Sequence, residues 1–206
     1  MVRVDEGEIV GGFDRAYDAW LTEDPTTPMQ RQIEAYVDHA FRAGMVRTVG
    51  ISVTTEEGKT WSHCFRANFD DSANCAFTTP NPYVLVVRVS GIGFAVDVRD
   101  PDSPVEVDIT PITCAASDVD GGRMFLASFN RVYEFDGVRV LWASRRIALD
   151  EIDELRHARG MVTGVANVIG GERVPFTIDL ASGLTTGGYQ TFPGDLSDAI
   201  WSTPPE

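Results

Sequence analysis

His63 and Cys64 are adjacent, and Cys75 follows eleven residues after Cys64. An imidazole beside a thiol is the pairing used by cysteine nucleophiles, and histidine with cysteine is also a ligand set that zinc prefers. Neither chemistry is completed locally. Neighbouring residues on a strand point to opposite faces, no Cys-x-x-Cys spacing occurs, and the only other imidazoles are His39 and His157. The pair is therefore read as structural, with no catalytic residue, no metal ligand and no cofactor assigned.

A second group is acidic. Between residues 97 and 120 the carboxylates of Asp97, Asp100, Asp102, Glu106, Asp108, Asp118 and Asp120 face one base, Arg99. Carboxylates and carbonyls hold calcium or magnesium, and Asp118-Val119-Asp120-Gly121-Gly122 has the turn glycine of such loops. It lacks the third acidic position and the distant Glu of an EF-hand, so these residues are read as turns and a solvated face. If the face is functional, these seven acids are where a basic partner docks. The basic clusters, Arg145/Arg146 and Arg156/Arg159, are read as a salt-bridged connection or one helical turn. Gly170-Gly171 and Gly187-Gly188 lack a following Lys-Ser/Thr, and Gly91-Ile92-Gly93 lacks a third glycine, so phosphate and dinucleotide loops are excluded. Neither Gly-x-Ser-x-Gly nor His-Glu-x-x-His occurs.

The whole chain extends the acidic theme: 206 residues carry 17 Lys+Arg against 31 Asp+Glu, a formal net charge of -14. By segment the net charge is -5 for residues 1–45, -6 for 46–122 and -3 for 123–206. A general nucleic-acid binder is disfavoured, because that activity rests on a net-positive face. With 43% hydrophobic and 10% aromatic residues the chain is globular. Three cysteines are too few for a disulfide scaffold. Apolar runs such as 83–87 and 92–96 are far shorter than the roughly 20 residues of a membrane span. Acids near the N-terminus replace the basic start of a signal peptide, so a cytoplasmic protein without membrane contact is expected. The single lysine, Lys59, beside sixteen arginines is given no functional weight.

The elements that must position these residues follow from periodicity. Phe13, Tyr17, Trp20 and Leu21 recur at helical spacing, and Glu23-Asp24-Pro25 stops them. Thr27-Pro28-Met29-Gln30 matches a capping box before an apolar stripe of Met29, Ile33, Tyr36, Val37, Ala40 and Phe41, with Gly44 as the C-cap. After Gly44 the period becomes two. Hairpins are expected at 46–54 with 60–66, at 83–90 with 92–99, at 124–129, 131–135 and 138–143 around Asp136-Gly137, and at 161–169 with 173–180. Residues 105–109 form a further strand, 69–82 a surface loop, and 195–201 a short helix. Trp61, Trp142 and Trp201 are assigned to the core with the strand phenylalanines. The fold class expected is α+β, mostly β, with N-terminal helices packed on antiparallel hairpins in a sandwich or barrel-like arrangement. One domain over 1–206 is expected, with a helical segment 1–45, a first β region 46–115 and a second 116–206.

In the C-terminal third, residues 124–133 followed by Trp142-Ala143-Ser144-Arg145-Arg146-Ile147-Ala148-Leu149-Asp150 resemble a pattern in uncharacterised bacterial β-hairpin proteins. Phe176-Thr177-Ile178-Asp179-Leu180-Ala181-Ser182-Gly183 belongs to the same pattern, and is also similar to one blade edge of quinoprotein-type β-propellers. The resemblance covers about 60 residues and implies repeated β-hairpins without an activity. A propeller requires at least four blades of roughly 40 residues. The Trp142 segment does not recur, so a propeller is not expected.

Two classes of function remain. One is a non-catalytic interaction protein whose acidic surface binds a basic protein partner, such as an immunity-type inhibitor, or one that mimics nucleic acid. The other is a small-molecule binder or hydrolase whose pocket is assembled from distant residues. The first is preferred, since charge complementarity speeds association and sets specificity. Oligomeric state is left open.

Overall fold

The computed structural model describes residues 6–7, 9–23, 29–35, 46–69 and 74–189. By chain contacts it divides into two compact units, Met1–Pro111 and Ile112–Glu206.

Among the described residues, ten strands build the first unit: β1 (Glu6–Gly7), β2 (Ile9–Val10), β3 (Tyr17–Glu23), β4 (Arg31–Ala35), β5 (Arg47–Thr55), β6 (Thr60–Ala67), β7 (Cys75–Thr78), β8 (Val84–Val89), β9 (Ile92–Asp97) and β10 (Val105–Glu106). They form two sheets, ordered β1-β3-β5-β6-β4 and β10-β9-β8-β7-β2. Alternation sets the inward faces. Val49, Ile51 and Val53 of β5, with Trp61 and Phe65 of β6, share one core with Leu85, Val87 and Val89 of β8 and Ile92, Phe94 and Val96 of β9. The β8–β9 turn is Ser90-Gly91, both at positive φ (50° and 78°), as a two-residue hairpin loop of twisted strands requires. β1 and β2 are separated by a single residue yet belong to different sheets, β1 beside β3 and β2 parallel to β7. The Phe13 N–H donates to Thr78 Oγ1 at 3.1 Å just beyond that crossing.

The expected N-terminal helices are absent from the described residues, and the α+β reading is corrected to a nearly all-β fold. Residues 17–23 are a strand in which Tyr17, Ala19 and Leu21 are buried while Trp20 is 52% exposed. The helical spacing arose because Trp20, a solvent-facing aromatic, counted as apolar and the small Ala19 did not. Residues 31–35 are an edge strand paired parallel with β6, Arg31 opposite His63 and Ile33 opposite Phe65. Only Ile33 and Ala35 of β4 rest on the core, which is again period two. The proposed cap at Thr27-Pro28, the stripe beyond residue 35, and the helix at 195–201 lie outside the described residues. The loop at 69–82 contains the buried strand β7.

The second unit is two four-stranded antiparallel meanders, each in chain order. The first is β11 (Cys114–Asp118), β12 (Arg123–Ala127), β13 (Val132–Phe135) and β14 (Val140–Ala143); the second is β15 (Ile152–Ala158), β16 (Met161–Asn167), β17 (Arg173–Asp179) and β18 (Thr185–Gly187). Phe125, Val132 and Trp142 from one and Ile152, Leu155, Val162, Phe176 and Ile178 from the other share a core. The polar residues of the C-terminal pattern serve this frame. Ser144 is buried, its Oγ accepting from the Val132 N–H at 3.0 Å and donating to Arg145 O at 2.7 Å. Asp179 Oδ1 accepts from the N–H groups of Ala181 and Ser182 at 2.9 and 3.0 Å, which makes Asp-Leu-x-x-Gly a turn.

Candidate functional site

The seven acids do not behave as one group. Asp97 at the end of β9 clamps Arg99: Oδ1 takes Nε and the backbone N–H at 2.9 Å each, and Oδ2 takes Nη2 at 2.6 Å. Those side-chain bonds hold the Asp97 carboxyl below its ordinary range. Asp102 Oδ1 lies 3.1 Å from Arg31 Nη1 and 3.4 Å from His63 Nε2. Asp118 Oδ1 accepts the Gly121 N–H at 3.1 Å, and its Oδ2 is 3.6 Å from His157 Nε2. Asp118 thus holds the Gly121 N–H of its own turn, and the loop that resembled an ion site is a side-chain-stabilised turn. The remaining four, Asp100, Glu106, Asp108 and Asp120, are exposed and have no side-chain hydrogen bond or ion pair among the described residues. Five of the seven belong to the first unit; Asp118 and Asp120 belong to the second.

His63 and Cys64 do point to opposite faces of β6. The His63 side chain shares its face with Trp61 and Phe65, 4.9 Å from the Trp61 ring, and neither ring nitrogen has a hydrogen bond. Cys64 is buried, and desolvation pushes its thiol up, opposed by the nearby Arg66 charge and reinforced by Glu34. A raised thiol is a poor source of thiolate, so the arrangement does not make a nucleophile. His39 lies outside the described residues. No cluster of three metal-ligating side chains occurs among the described residues.

In the second unit His157 stacks on Phe125, with centroids 5.7 Å apart. On the sheet of Phe125, Arg123 grips Glu134 through two bonds of 2.7 Å, and Glu134 is 7% exposed. The basic residues in and around β15 are dispersed in their contacts. Arg146 donates to Ala148 O at 3.2 Å, Arg156 approaches Glu154 at 4.0 Å, and Arg159 turns the β15–β16 hairpin at positive φ.

One cleft of about 350 Å³ opens at an end of the first unit. Ala16 before β3, Thr55 at the end of β5, Glu56, Glu57 and Lys59 of the β5–β6 turn, Tyr83 before β8, and Val98 with Arg99 after β9 line it. The Ala16 N–H donates to Pro82 O, Glu56 N–H to Ala16 O, and Val98 N–H to Tyr83 O, so backbone bonds fix its sides. Lys59 Nζ is 2.8 Å from Glu57 Oε2, and the Arg99 guanidinium lies 4.3 Å from the Tyr83 ring centroid. Sequence reasoning missed this cleft, including Lys59. Its members come from four distant stretches, and only the strand pairing register joins them.

No protein-family model and no curated protein matches the chain. Among solved structures it is similar to a chain of a nidogen/laminin complex, with a TM-score of 0.38 and 11% sequence identity over 75% of this chain. The chain spans 62% of the length of that neighbour.

No helix among the described residues is long and apolar enough to cross a membrane.

Proposed function

We propose that the protein is a non-catalytic binding module that meets a basic protein partner with an acidic face of its first unit, in the manner of an immunity-type inhibitor. The observation that supports this reading is the division among the acids. Asp97 is tied to Arg99 and Asp102 to Arg31, which anchors the segment, while Asp100, Glu106 and Asp108 carry free, solvated carboxylates. The sequence of this unit holds 18 acids and 9 bases, so the surrounding field also favours a cationic partner.

The test is binding to a lysine- and arginine-rich protein probe at increasing salt, with the triple variant Asp100→Asn, Glu106→Gln, Asp108→Asn alongside. Association should weaken steeply with salt, and the variant should lose on-rate more than it gains off-rate. Equal binding by variant and wild type at low ionic strength would refute the assignment of the face.

A further inference from the structure

The end cleft of the first unit supports a second kind of ligand, independent of the basic-partner reading. Its charged groups are only partly committed. An ammonium has three donors, and Lys59 directs one to Glu57. Arg99 spends Nε and Nη2 on Asp97, which leaves Nη1. Glu56 is exposed, with no ion pair among the described residues. The lining therefore presents unspent cationic donors and an unspent carboxylate together, next to the exposed Tyr83 ring, with the buried Ala16 and Val98 beneath.

Glu57 and Asp97 neutralise Lys59 and Arg99 and leave the Glu56 carboxylate unpaired, so the rim offers an acceptor for an ammonium beside donors that a carboxylate can share. An ammonium meets Glu56, a carboxylate shares the Lys59 Nζ and Arg99 Nη1 donors that Glu57 and Asp97 leave open, and a molecule carrying both charges can satisfy each side. The volume lies at the lower end of small-molecule sites, about 300 to 1,000 Å³, which is room for a single amino acid or a dipeptide. The backbone bonds across its sides mean that little ordering is needed on binding. We propose that this cleft binds a zwitterionic amino acid or short peptide, with the carboxylate on Lys59 and Arg99 Nη1, the ammonium on Glu56, and the side chain against the Tyr83 ring.

The experiment is an amide NMR titration of the full chain with L-leucine, leucyl-leucine, L-leucinamide and N-acetyl-L-leucine. Leucine and leucyl-leucine should shift the amides at 16, 55–59, 83 and 98–99 with a Kd of about 1 mM, and capping either end should weaken binding about tenfold. Lys59→Met should weaken leucine but not leucinamide, and Glu56→Gln should weaken leucine but not N-acetyl-leucine. Both residues are exposed, so unchanged spectra elsewhere report an intact fold. The proposal is overturned if the zwitterions leave these amides unmoved, if the shifts gather elsewhere, or if the capped forms bind as well as leucine.

Discussion

Replacing Arg123 with Met tests how the second unit tolerates a charge nearly out of water. The Glu134 side chain keeps 9% of its surface exposed and Arg123 keeps 32%, and the pair is joined by two bonds of 2.7 Å. Breaking a buried pair by removing one partner costs roughly 3–5 kcal/mol, because the other charge stays behind without compensation. Arg123 still reaches solvent, so about 2–3 kcal/mol is expected for Arg123→Met. For a unit of this size that is a fall in Tm of roughly 10–20 °C. Adding Glu134→Leu should recover most of it, to within about 1 kcal/mol of wild type, since the cost lies in the stranded carboxylate and not in the loss of the pair. Denaturant unfolding, with native-state hydrogen exchange at the β12 and β13 amides to read this unit alone, measures both variants. The reasoning fails if Arg123→Met unfolds with the wild-type midpoint, or if the double variant is no more stable than the single one.

Three further outcomes are expected. The buried Tyr17 hydroxyl has no hydrogen-bond partner, and desolvation pushes its pKa up to about 12 against the opposing Arg15 charge. Stability is thus insensitive to this group below the unfolded value near 10 and falls as pH rises through about 12, where a tyrosinate would have to be buried; Tyr17→Phe should remove a late tyrosinate step from an alkaline absorbance titration while leaving neutral-pH stability equal or up to about 1 kcal/mol higher. Asp97 has its carboxyl held low by Arg99, so its contribution is present above the unfolded value of about 3.9 and lost as pH falls through the folded one; Asp97→Asn should flatten the acid limb of Tm against pH. At Gly164 an added Cβ would lie 2.7 Å from Phe176 Cζ and 3.0 Å from Asp153 O, so Gly164→Ala should cost about 1–3 kcal/mol, and an unchanged urea midpoint would contradict the packing.

The hairpins of the fold are legible in the sequence wherever strands alternate and a turn residue separates them. The 46–66 and 83–99 pairs and the strands around Asp136-Gly137 are found within a few residues of their expected positions. β15 was hidden by its own geometry. The pairing of Asp153 and Arg156 with β16 is shifted, and Glu154 between them stands at φ 52°, so the buried Ile152 and Leu155 are three apart and imitate a helical turn. The acids of 97–120 are visible as a run, but which of them are free depends on Arg31 and His63, which the chain brings in from thirty and more residues away. The cleft is hidden for the same reason.

The crossing of β1 and β2 between sheets sets an order on folding. Among the described residues of the second unit every strand pairs with its immediate successor or predecessor within a sheet, so its sheets can form through short loop closures. In the first unit Ile9 must find Ala76, Tyr17 must find Thr55, and Arg31 must find His63. Closing those long loops costs entropy before contacts repay it, and such topologies fold slowly. A chain synthesised from its N-terminus therefore holds β2 without its sheet partner until β7 exists, and the unit made first is the one expected to finish last.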